Sequence, residues 1–203
     1  LSITTRNNAT GANTAITPAL TGIGVVPMRL YAGGNLTCLR DELERGVCFG
    51  DNSYGQAGQS YSSGGAIPAG RLVFGGGKVE TFAVGDLHAC AVVTSTGGVR
   101  QAWCWGRNNQ GQAGSGTTED TITAPRQVAL GNDGTGAAAQ PQSLSAGGSH
   151  TCALLTDGSA KCWGLNTNAQ LGLGDRTSRG RSAAQMGTAL PLLNLSRPVT
   201  QIA

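Results

Sequence analysis

The chain has 203 residues, of which only 12% are charged, and its formal net charge is +3. Lysine and arginine are scattered rather than gathered into the basic stripe of a nucleic-acid surface, so we expect no nucleic-acid partner. No apolar run approaches the ~20 residues of a membrane-spanning helix, so no membrane span is expected in this segment. Glycine is abundant, at 33 residues without a collagen period, which favours a fold with many tight turns.

The predicted elements are short strands broken by glycine and proline. Residues 1–25 are rich in Asn, Thr, Ala and Gly, and they predict a loop or the end of a preceding unit. A strand over residues 25–31 leads through Gly33 and Gly34 to a hairpin that ends at Cys48. A period of 3.6 residues is sustained nowhere, so no helix of useful length is expected.

The same order of elements returns twice further along the chain. The second unit has an entering strand over residues 79–84, followed by a hairpin in which residues 90–94 pair with 99–105. The third unit has its entering strand over residues 142–146. About four short strands in each unit indicate the blade of a β-propeller.

An eleven-residue stretch is the clearest sign of this repetition. It reads Cys-aromatic-Gly-x-Asn-x-x-x-Gln-x-Gly and begins at Cys48, Cys104 and Cys162, at intervals of 56 and 58 residues. A second shared segment ends at another cysteine upstream of each copy. Tandem recurrence at this period indicates a repeated supersecondary unit. The cysteines thus form one pair per unit: Cys38 with Cys48, Cys90 with Cys104, and Cys152 with Cys162.

The spacing within each pair predicts a disulfide across a β-hairpin. In the third unit, residues 156–158 predict a three-residue loop whose last residue, a glycine, takes the left-handed conformation. Leu155 then faces Ser159, and Cys152 faces Cys162 in a non-hydrogen-bonded pair, where side chains lie closest. The other two separations are also even, so both cysteines of each pair stay on one face.

A metal site is the alternative interpretation, because His88 and His150 stand two residues before Cys90 and Cys152. Structural zinc sites usually take their ligands from close pairs such as C-x-x-C, which do not occur here. The first unit also has Leu36 in place of the histidine. The sequence therefore favours three disulfides, with no metal or other cofactor, and an oxidising compartment.

Three N-x-S/T sequons, at Asn8, Asn35 and Asn194, agree with a secreted glycoprotein. Asn8 lies in the most loop-like sequence. We expect it to be the first of the three to carry a glycan.

With these motifs in hand, the chain resembles the regulator of chromosome condensation repeat family over about residues 26–203. Residues 150–175 give the most specific match, whereas the first unit departs at Leu36 and Phe49. The family folds as seven-bladed β-propellers, and it includes guanine-nucleotide exchange factors and, in a divergent branch, β-lactamase inhibitor protein II. The resemblance implies an all-β chain of four-stranded antiparallel blades, about three of them present, belonging to a longer chain with further blades.

The predicted ranges follow from this interpretation. We expect the end of a preceding blade over 1–25, three blades over 26–83, 84–145 and 146–198, and the first strand of a following blade over 199–203. Within the blades, we expect five side chains to pack between neighbours: Phe49, Trp105, Trp163, His88 and His150.

The function predicted from these observations is a non-enzymatic, extracellular scaffold or protein-interaction module in a secreted or cell-surface assembly. The sequence has no nucleophile elbow, phosphate loop or shared carboxylate pair, so we expect no enzyme. The alternative is a regulator that inserts a loop into a partner, such as an inhibitor of a secreted enzyme or a protein like a guanine-nucleotide exchange factor. A protein partner is expected on the variable loops at 59–68, 117–124, 131–140 and 175–181.

Overall fold

The structure is a computed structural model that describes residues 3–6, 13–16, 28–59 and 70–203. The described residues form antiparallel β-strands joined by turns, and their only helical segments are two 3-10 turns at Ala183–Gln185 and Gly187–Ala189. The predicted all-β class is therefore confirmed.

The first two strands lie where a loop was predicted. Residues 1–25 were predicted to be a loop or the end of a preceding blade; within them strands β1 (Ile3–Arg6) and β2 (Asn13–Ile16) pair antiparallel, so these two segments are strands. Both contain isoleucine and threonine, whose branched side chains favour a pleated backbone. Asn8 lies outside the described residues.

Three larger sheets follow in chain order, and each strand is hydrogen-bonded to the next along the chain. Sheet 1 contains β3 (Arg29–Gly33), β4 (Leu36–Arg40), β5 (Gly46–Gly50) and β6 (Gly70–Arg71). Sheet 2 contains β7 (Lys78–Val84), β8 (His88–Thr94), β9 (Arg100–Arg107) and β10 (Thr121–Gln127). Sheet 3 contains β11 (Pro141–Ala146), β12 (His150–Leu155) and β13 (Ala160–Gly164). The three sheets are antiparallel blades of a partial propeller.

Sheet 3 departs from the four predicted strands. Its fourth position holds an isolated bridge between Gly164 and Arg179 and a hydrogen bond from the Leu193 N–H to the Ala160 carbonyl. In sheet 2 the corresponding contacts of Ile122 and Val128 belong to one nearly continuous strand. The chain between the two contacts is longer in sheet 3 and leaves the sheet edge, so no regular ladder forms.

The predicted ranges divide the chain differently from the sheets. Strands β7 and β11 enter sheets 2 and 3, although the predicted limits at 83/84 and 145/146 fall near their ends. Residues 199–203, predicted to be a first strand, are not in a strand. The Val199 N–H instead donates to the Gly158 carbonyl at the tip of the β12–β13 hairpin, 2.8 Å away.

The hairpins of the three sheets share one loop geometry. The residue in the third loop position has a positive φ in each: Glu44 at 59°, Gly98 at 78° and Gly158 at 83°. The extra residues of the second unit lengthen strands β8 and β9 and leave the three-residue loop unchanged. Glu44 adopts the same backbone without glycine.

The sheets stack face to face, so each has a trailing face and a leading face. The trailing face of a sheet carries its cysteine pair and packs on the next sheet; the leading face carries the large aromatic residue that follows the second cysteine. Tyr31 on the trailing face of sheet 1 meets Phe82 on the leading face of sheet 2, with ring centroids 5.6 Å apart. Phe74 meets Trp105 in the same seam, at 5.9 Å.

Burial follows from this stacking. Strand β8 is buried at six successive positions because sheet 2 has a sheet on each side. In β4 and β5 the trailing-face residues Leu36, Cys38, Gly46 and Cys48 are buried, and the leading-face residues are only half-buried. Leu30, on the leading face of sheet 1, is 55% exposed.

Candidate interaction surfaces

Each cysteine pair lies on the trailing face of its sheet, and the pairs of sheets 1 and 2 are in the seams with the next sheet. The S–S distances are 2.01, 2.11 and 2.08 Å for the bridges of sheets 1, 2 and 3, and each bridge joins directly opposed residues of one hairpin. The cysteines of the first two bridges are completely buried under the next sheet. In the third bridge Cys152 is half-buried.

Each of the two tryptophans that follow a motif cysteine binds the preceding sheet through its indole nitrogen. Trp105 Nε1 donates to the Gln56 carbonyl at 2.7 Å, and Trp163 Nε1 donates to the Gln112 carbonyl at 3.0 Å. The acceptors are the same motif glutamine, one repeat earlier. Phe49 occupies this position in sheet 1, has no such donor, and is half-buried.

His88 makes a second polar link across the seam between sheets 2 and 3. Its Nε2 lies 2.8 Å from Thr151 Oγ1, and the Thr151 hydroxyl donates to the Gln112 carbonyl at 2.9 Å. The hydroxyl proton is thereby used, so His88 must donate from Nε2. Burial, with a smaller effect of the nearby His150, lowers the pKa of His88 to about 4.

The seam between sheets 1 and 2 replaces this polar link with an apolar one. Leu36 takes the place of His88, and Ala89 takes the place of Thr151; both are buried. The residue types therefore change together on the two sides of a seam. Leu36 was recognisable in the sequence as a departure from the repeat, whereas the role of Thr151 was not, although a threonine before the first cysteine occurs in units one and three and not in unit two.

His150 lies on the open side of sheet 3. Its ring packs over Gly147 as the ring of His88 packs over Gly85. The ring is half-buried, its burial lowers its pKa, and within residues 28–59 and 70–203 no hydrogen bond reaches it. His88 and His150 thus occupy equivalent places but only His88 has its partner across a seam.

The motif asparagines organise the turns after β5, β9 and β13. The Asn52, Asn108 and Asn166 side chains are buried, and each Oδ1 accepts the N–H of the residue five positions later. Their Nδ2 groups donate to carbonyls of the following loop, as Asn166 does to Asp175 at 2.9 Å. These asparagines fix the start of each variable loop.

The variable loops lie at two opposite ends of the sheets. Residues 117–124 and 175–181 lie at the motif end, beside the asparagine turns, because Ile122 pairs with Gly106 and Arg179 with Gly164. Part of the predicted 117–124 loop is strand β10. Residues 131–140 lie at the hairpin end, beside the β12–β13 loop. Of the predicted loop 59–68, only Gln59 belongs to the described residues.

Arg181 joins the two loops of the motif end. Its guanidinium donates to Asp120 Oδ1 at 2.8 Å and to the carbonyls of Thr118 and Asn109 at 2.8 and 2.5 Å. Arg179 holds Asp175 in the same loop and lowers the pKa of that carboxyl to about 2. The bridge presents 117–120 and 175–181 as one connected surface.

A buried lysine lies at the opposite end, beside the start of the 131–140 loop. Lys161 is 2% exposed, and its Nζ donates to the carbonyls of Leu130 at 2.6 Å and Gly187 at 3.4 Å. Burial lowers the pKa of Lys161, and the charge of Asp133 opposes that effect. Lys161 stands on the leading face where sheet 2 has Trp103.

Two of the three sequons lie in described residues. Asn35 is exposed in the turn between β3 and β4, and Asn194 is exposed in the segment after Leu193. In the described part of the chain no three His, Cys, Asp or Glu residues are arranged to hold a metal ion. No helix there is long and apolar enough to span a bilayer.

Stacked antiparallel blades of three or four strands, with aromatic side chains in the seams, define a segment of a β-propeller. Family models described as Regulator of chromosome condensation (RCC1) repeat match residues 101–154 and 142–170. The chain therefore carries RCC1-type β-propeller repeats, as the motifs predicted.

Curated relatives extend the match. The chain is 34% identical over 131 residues to the Ultraviolet-B receptor UVR8 of Arabidopsis thaliana. This match covers 64% of the chain and 28% of the receptor. It is 33% identical over 153 residues to the mouse X-linked retinitis pigmentosa GTPase regulator, covering 75% of this chain and 14% of that protein. The chain thus spans less than a third of these two relatives.

Solved structures show the same fold. Human WBSCR16 superposes with a TM-score of 0.62 at 22% identity, over 83% of this chain and 40% of that one. Prp20p from Saccharomyces cerevisiae, whose structure was described together with its binding to Gsp1p and histones, superposes with a TM-score of 0.64 at 17% identity, over 83% and 38%.

Proposed function

We propose that this chain is a non-enzymatic protein-interaction scaffold that works outside the cytosol. The observation that carries the proposal is the set of three intra-hairpin disulfides, with no free cysteine in the chain. Such bridges persist in oxidising compartments and are rare where glutathione and thioredoxin keep thiols reduced. Further blades of a longer polypeptide are part of the same proposal.

The motif end is the proposed binding surface. Loops are the usual sites of recognition on a rigid scaffold, and here the Arg181 bridge holds two of them in one arrangement before any partner arrives. The exposed residues of this end include Thr118 and Thr177. The hairpin end, where Lys161 binds the Leu130 and Gly187 carbonyls, is the opposite end of the sheets and serves as the comparison.

Point substitutions that keep the side chains of Arg181 and Asp120 test this assignment. Thr118→Arg and Thr177→Arg add bulk and charge to the motif end, and Thr188→Arg adds the same side chain to the hairpin end. Once a partner is identified by cross-linking in the native tissue, the first two variants should weaken its binding at least tenfold, and Thr188→Arg should not. Equal effects at both ends would reject the motif end as the binding surface.

The location has its own test. The protein isolated from its source without reductant should take up no iodoacetamide, and its intact mass should lack six hydrogens relative to the reduced chain. Discrete mass increments removed by an N-glycosidase would show glycans, for which exposed Asn35 and Asn194 are the proposed sites, together with Asn8. Six alkylated cysteines in freshly isolated protein would contradict the extracellular assignment.

A regulator of a small GTPase is the second candidate. It is favoured by the similarity to a protein named as a GTPase regulator and by the RCC1-type repeats themselves. The buried disulfides argue against it, because exchange on cytosolic GTPases takes place in a reducing compartment. Release of fluorescent GDP from a panel of small GTPases should be unaffected by the chain; catalysed release would establish the second candidate.

A further inference from the structure

One cation at the motif end, Arg107, is half-buried without an anion beside it. It is the last residue of β9. All 11 aspartates and glutamates of the chain lie in the described residues, and none of them forms an ion pair with Arg107. The other described arginines that lack an ion pair are exposed to water: Arg29, Arg71, Arg176 and Arg197. Arg107 is therefore partly withdrawn from water with no carboxylate of its own chain to compensate.

A tyrosine of the neighbouring sheet fixes the position of this guanidinium. The Arg107 Cζ lies 4.7 Å from the centre of the Tyr54 ring, which belongs to the motif turn of sheet 1. Stacking of this kind covers one face of the guanidinium and leaves the N–H groups at its edge able to donate. Because the ring already restrains the side chain, less conformational entropy is lost when a ligand binds.

Arg107 borders the loops of the proposed binding surface. It pairs with Thr121, the first residue of β10, directly after loop residues 117–120. The N–H of the next residue, Asn108, donates to the Asp120 carbonyl at 2.7 Å. The stacked guanidinium is thus part of the motif end.

The repeat position that Arg107 occupies changes its chemistry from sheet to sheet. It lies between the glycine and the asparagine of the motif, and it is Asp51 in sheet 1 and Leu165 in sheet 3. The backbone N–H groups of the three residues donate to carbonyls of the turn between the first two strands of each sheet, at 2.9, 2.8 and 2.8 Å: those of Asn35, Leu87 and Ser149. One backbone framework therefore presents a carboxylate, a guanidinium and an apolar side chain in successive sheets.

We propose that Arg107, stacked on Tyr54, is the subsite of the motif end that binds a carboxylate of the protein partner. The guanidinium fork matches a carboxylate through two parallel N–H···O bonds. Phosphate and sulfate groups share this geometry, but the cations of the chain form no basic stripe that could follow a polyanion. The subsite rests on the proposed function, because it names the chemistry that the partner brings to the motif end.

A small acidic probe tests the subsite on the 203-residue protein. Hexaglutamate with blocked ends is titrated while NMR follows the Arg107 Nε–H and the Tyr54 ring, with blocked hexalysine and inorganic sulfate as comparison probes. The variants are Arg107→Gln, Arg107→Lys and Tyr54→Leu. Arg176→Gln is the matched control, because it removes the same charge from the same end at an exposed residue without a stacked ring.

Hexaglutamate should shift both signals, and hexalysine should shift neither. Loss of the charge-assisted hydrogen bonds in Arg107→Gln should weaken hexaglutamate binding about tenfold, whereas Arg176→Gln should change it by less than about twofold. Arg107→Lys should recover only part of the loss, because an ammonium keeps the charge without the planar fork. Tyr54→Leu should also weaken binding, since the guanidinium is then no longer held.

Once the partner is identified, a charge exchange tests the same contact. Arg107→Glu should weaken partner binding at least about tenfold, and replacement of one partner carboxylate by lysine should restore binding to the Arg107→Glu protein. Such a rescue identifies the carboxylate that Arg107 binds.

Three results would overturn the proposal. Hexaglutamate leaves the Arg107 and Tyr54 signals unchanged at millimolar concentration; Arg176→Gln weakens its binding as much as Arg107→Gln does, so that only net charge matters; or sulfate binds more tightly than hexaglutamate, which would assign the subsite to a different anion. If Thr118→Arg and Thr177→Arg weaken partner binding and Arg107→Glu does not, the subsite is wrong and the motif end remains the binding surface.

Discussion

The buried histidine between sheets 2 and 3 predicts that acid destabilises the described blades well before the carboxylates titrate. His88 is completely buried as a neutral imidazole, and its pKa is about 4, against 6.5 in the unfolded chain. As the pH falls below 6.5, the unfolded state takes up the proton and the folded state does not. The stability present above pH 6.5 is therefore lost toward pH 4.

The magnitude follows from the shift. Each unit of pKa difference corresponds to about 1.4 kcal/mol, so the whole displacement amounts to about 3 kcal/mol. Between pH 7 and pH 5 alone, proton linkage lowers the free energy of unfolding by about 2 kcal/mol. That interval lies above the ordinary pKa of Asp and Glu, so the contribution of carboxylates such as Asp175, whose pKa is about 2, remains small.

The assay is urea unfolding at several pH values between 7 and 5, compared with two variants. His88→Leu with Thr151→Ala copies the apolar Leu36–Ala89 seam and should abolish most of the pH dependence. His150→Leu should keep the part due to His88, because the His88–Thr151 link is intact. A flat profile for the original protein, or an unchanged slope in the double variant, would refute the assignment of a neutral buried His88.

The remaining predictions concern the seams, the hairpin loops and the bridges. Trp105→Phe should lower the free energy of unfolding by about 1–3 kcal/mol more than Trp163→Phe, as measured by chemical unfolding. After Trp163→Phe the Gln112 carbonyl still accepts the Thr151 hydroxyl, whereas after Trp105→Phe no described donor replaces the indole at the Gln56 carbonyl. Gly98→Ala should lower the free energy of unfolding by about 1–2 kcal/mol through its positive φ alone. Gly158→Ala should lower it further, since the added Cβ would lie 2.8 Å from a Pro198 carbon. Equal losses in the two variants would contradict this close approach. Reduction of the disulfides should lower the unfolding free energy by about 2–3 kcal/mol per bridge, and an unchanged urea midpoint in reductant would reject this estimate.

The regular parts of the fold were predictable because they follow from local rules. Even spacing keeps both cysteines of a hairpin on one face, and the three-residue loop with glycine at 158 then sets Cys152 opposite Cys162. Glu44 shows the limit of such rules, since it adopts the same conformation with a side chain that prefers other regions. Ion pairs to Arg40 and Lys78 accompany that exception.

The interaction surfaces were harder to predict because their partners lie one repeat away. Nothing near Thr151 in sequence indicates that its hydroxyl binds His88 and the Gln112 carbonyl. The variable loops were predicted from composition, which carries no information about the end of the sheet at which a loop emerges. The segment between Arg179 and Leu193, which replaces a strand, was equally hard to predict. Its length alone does not reveal where the chain returns to the sheet.

The paired residue types at the seams also restrict how such repeats can be rearranged. A module moved by duplication or recombination brings only one of the two residues of each seam pair. Inserting the third unit after the first would set the Thr151 hydroxyl against Leu36. Placing a copy of the second unit after itself would set the His88 imidazole against Ala89. Either exchange joins a polar group to a methyl group. Two side chains in each module thus determine which neighbouring modules it can pack against. Shuffled or consensus arrays of these units must therefore contain both residues of every seam pair.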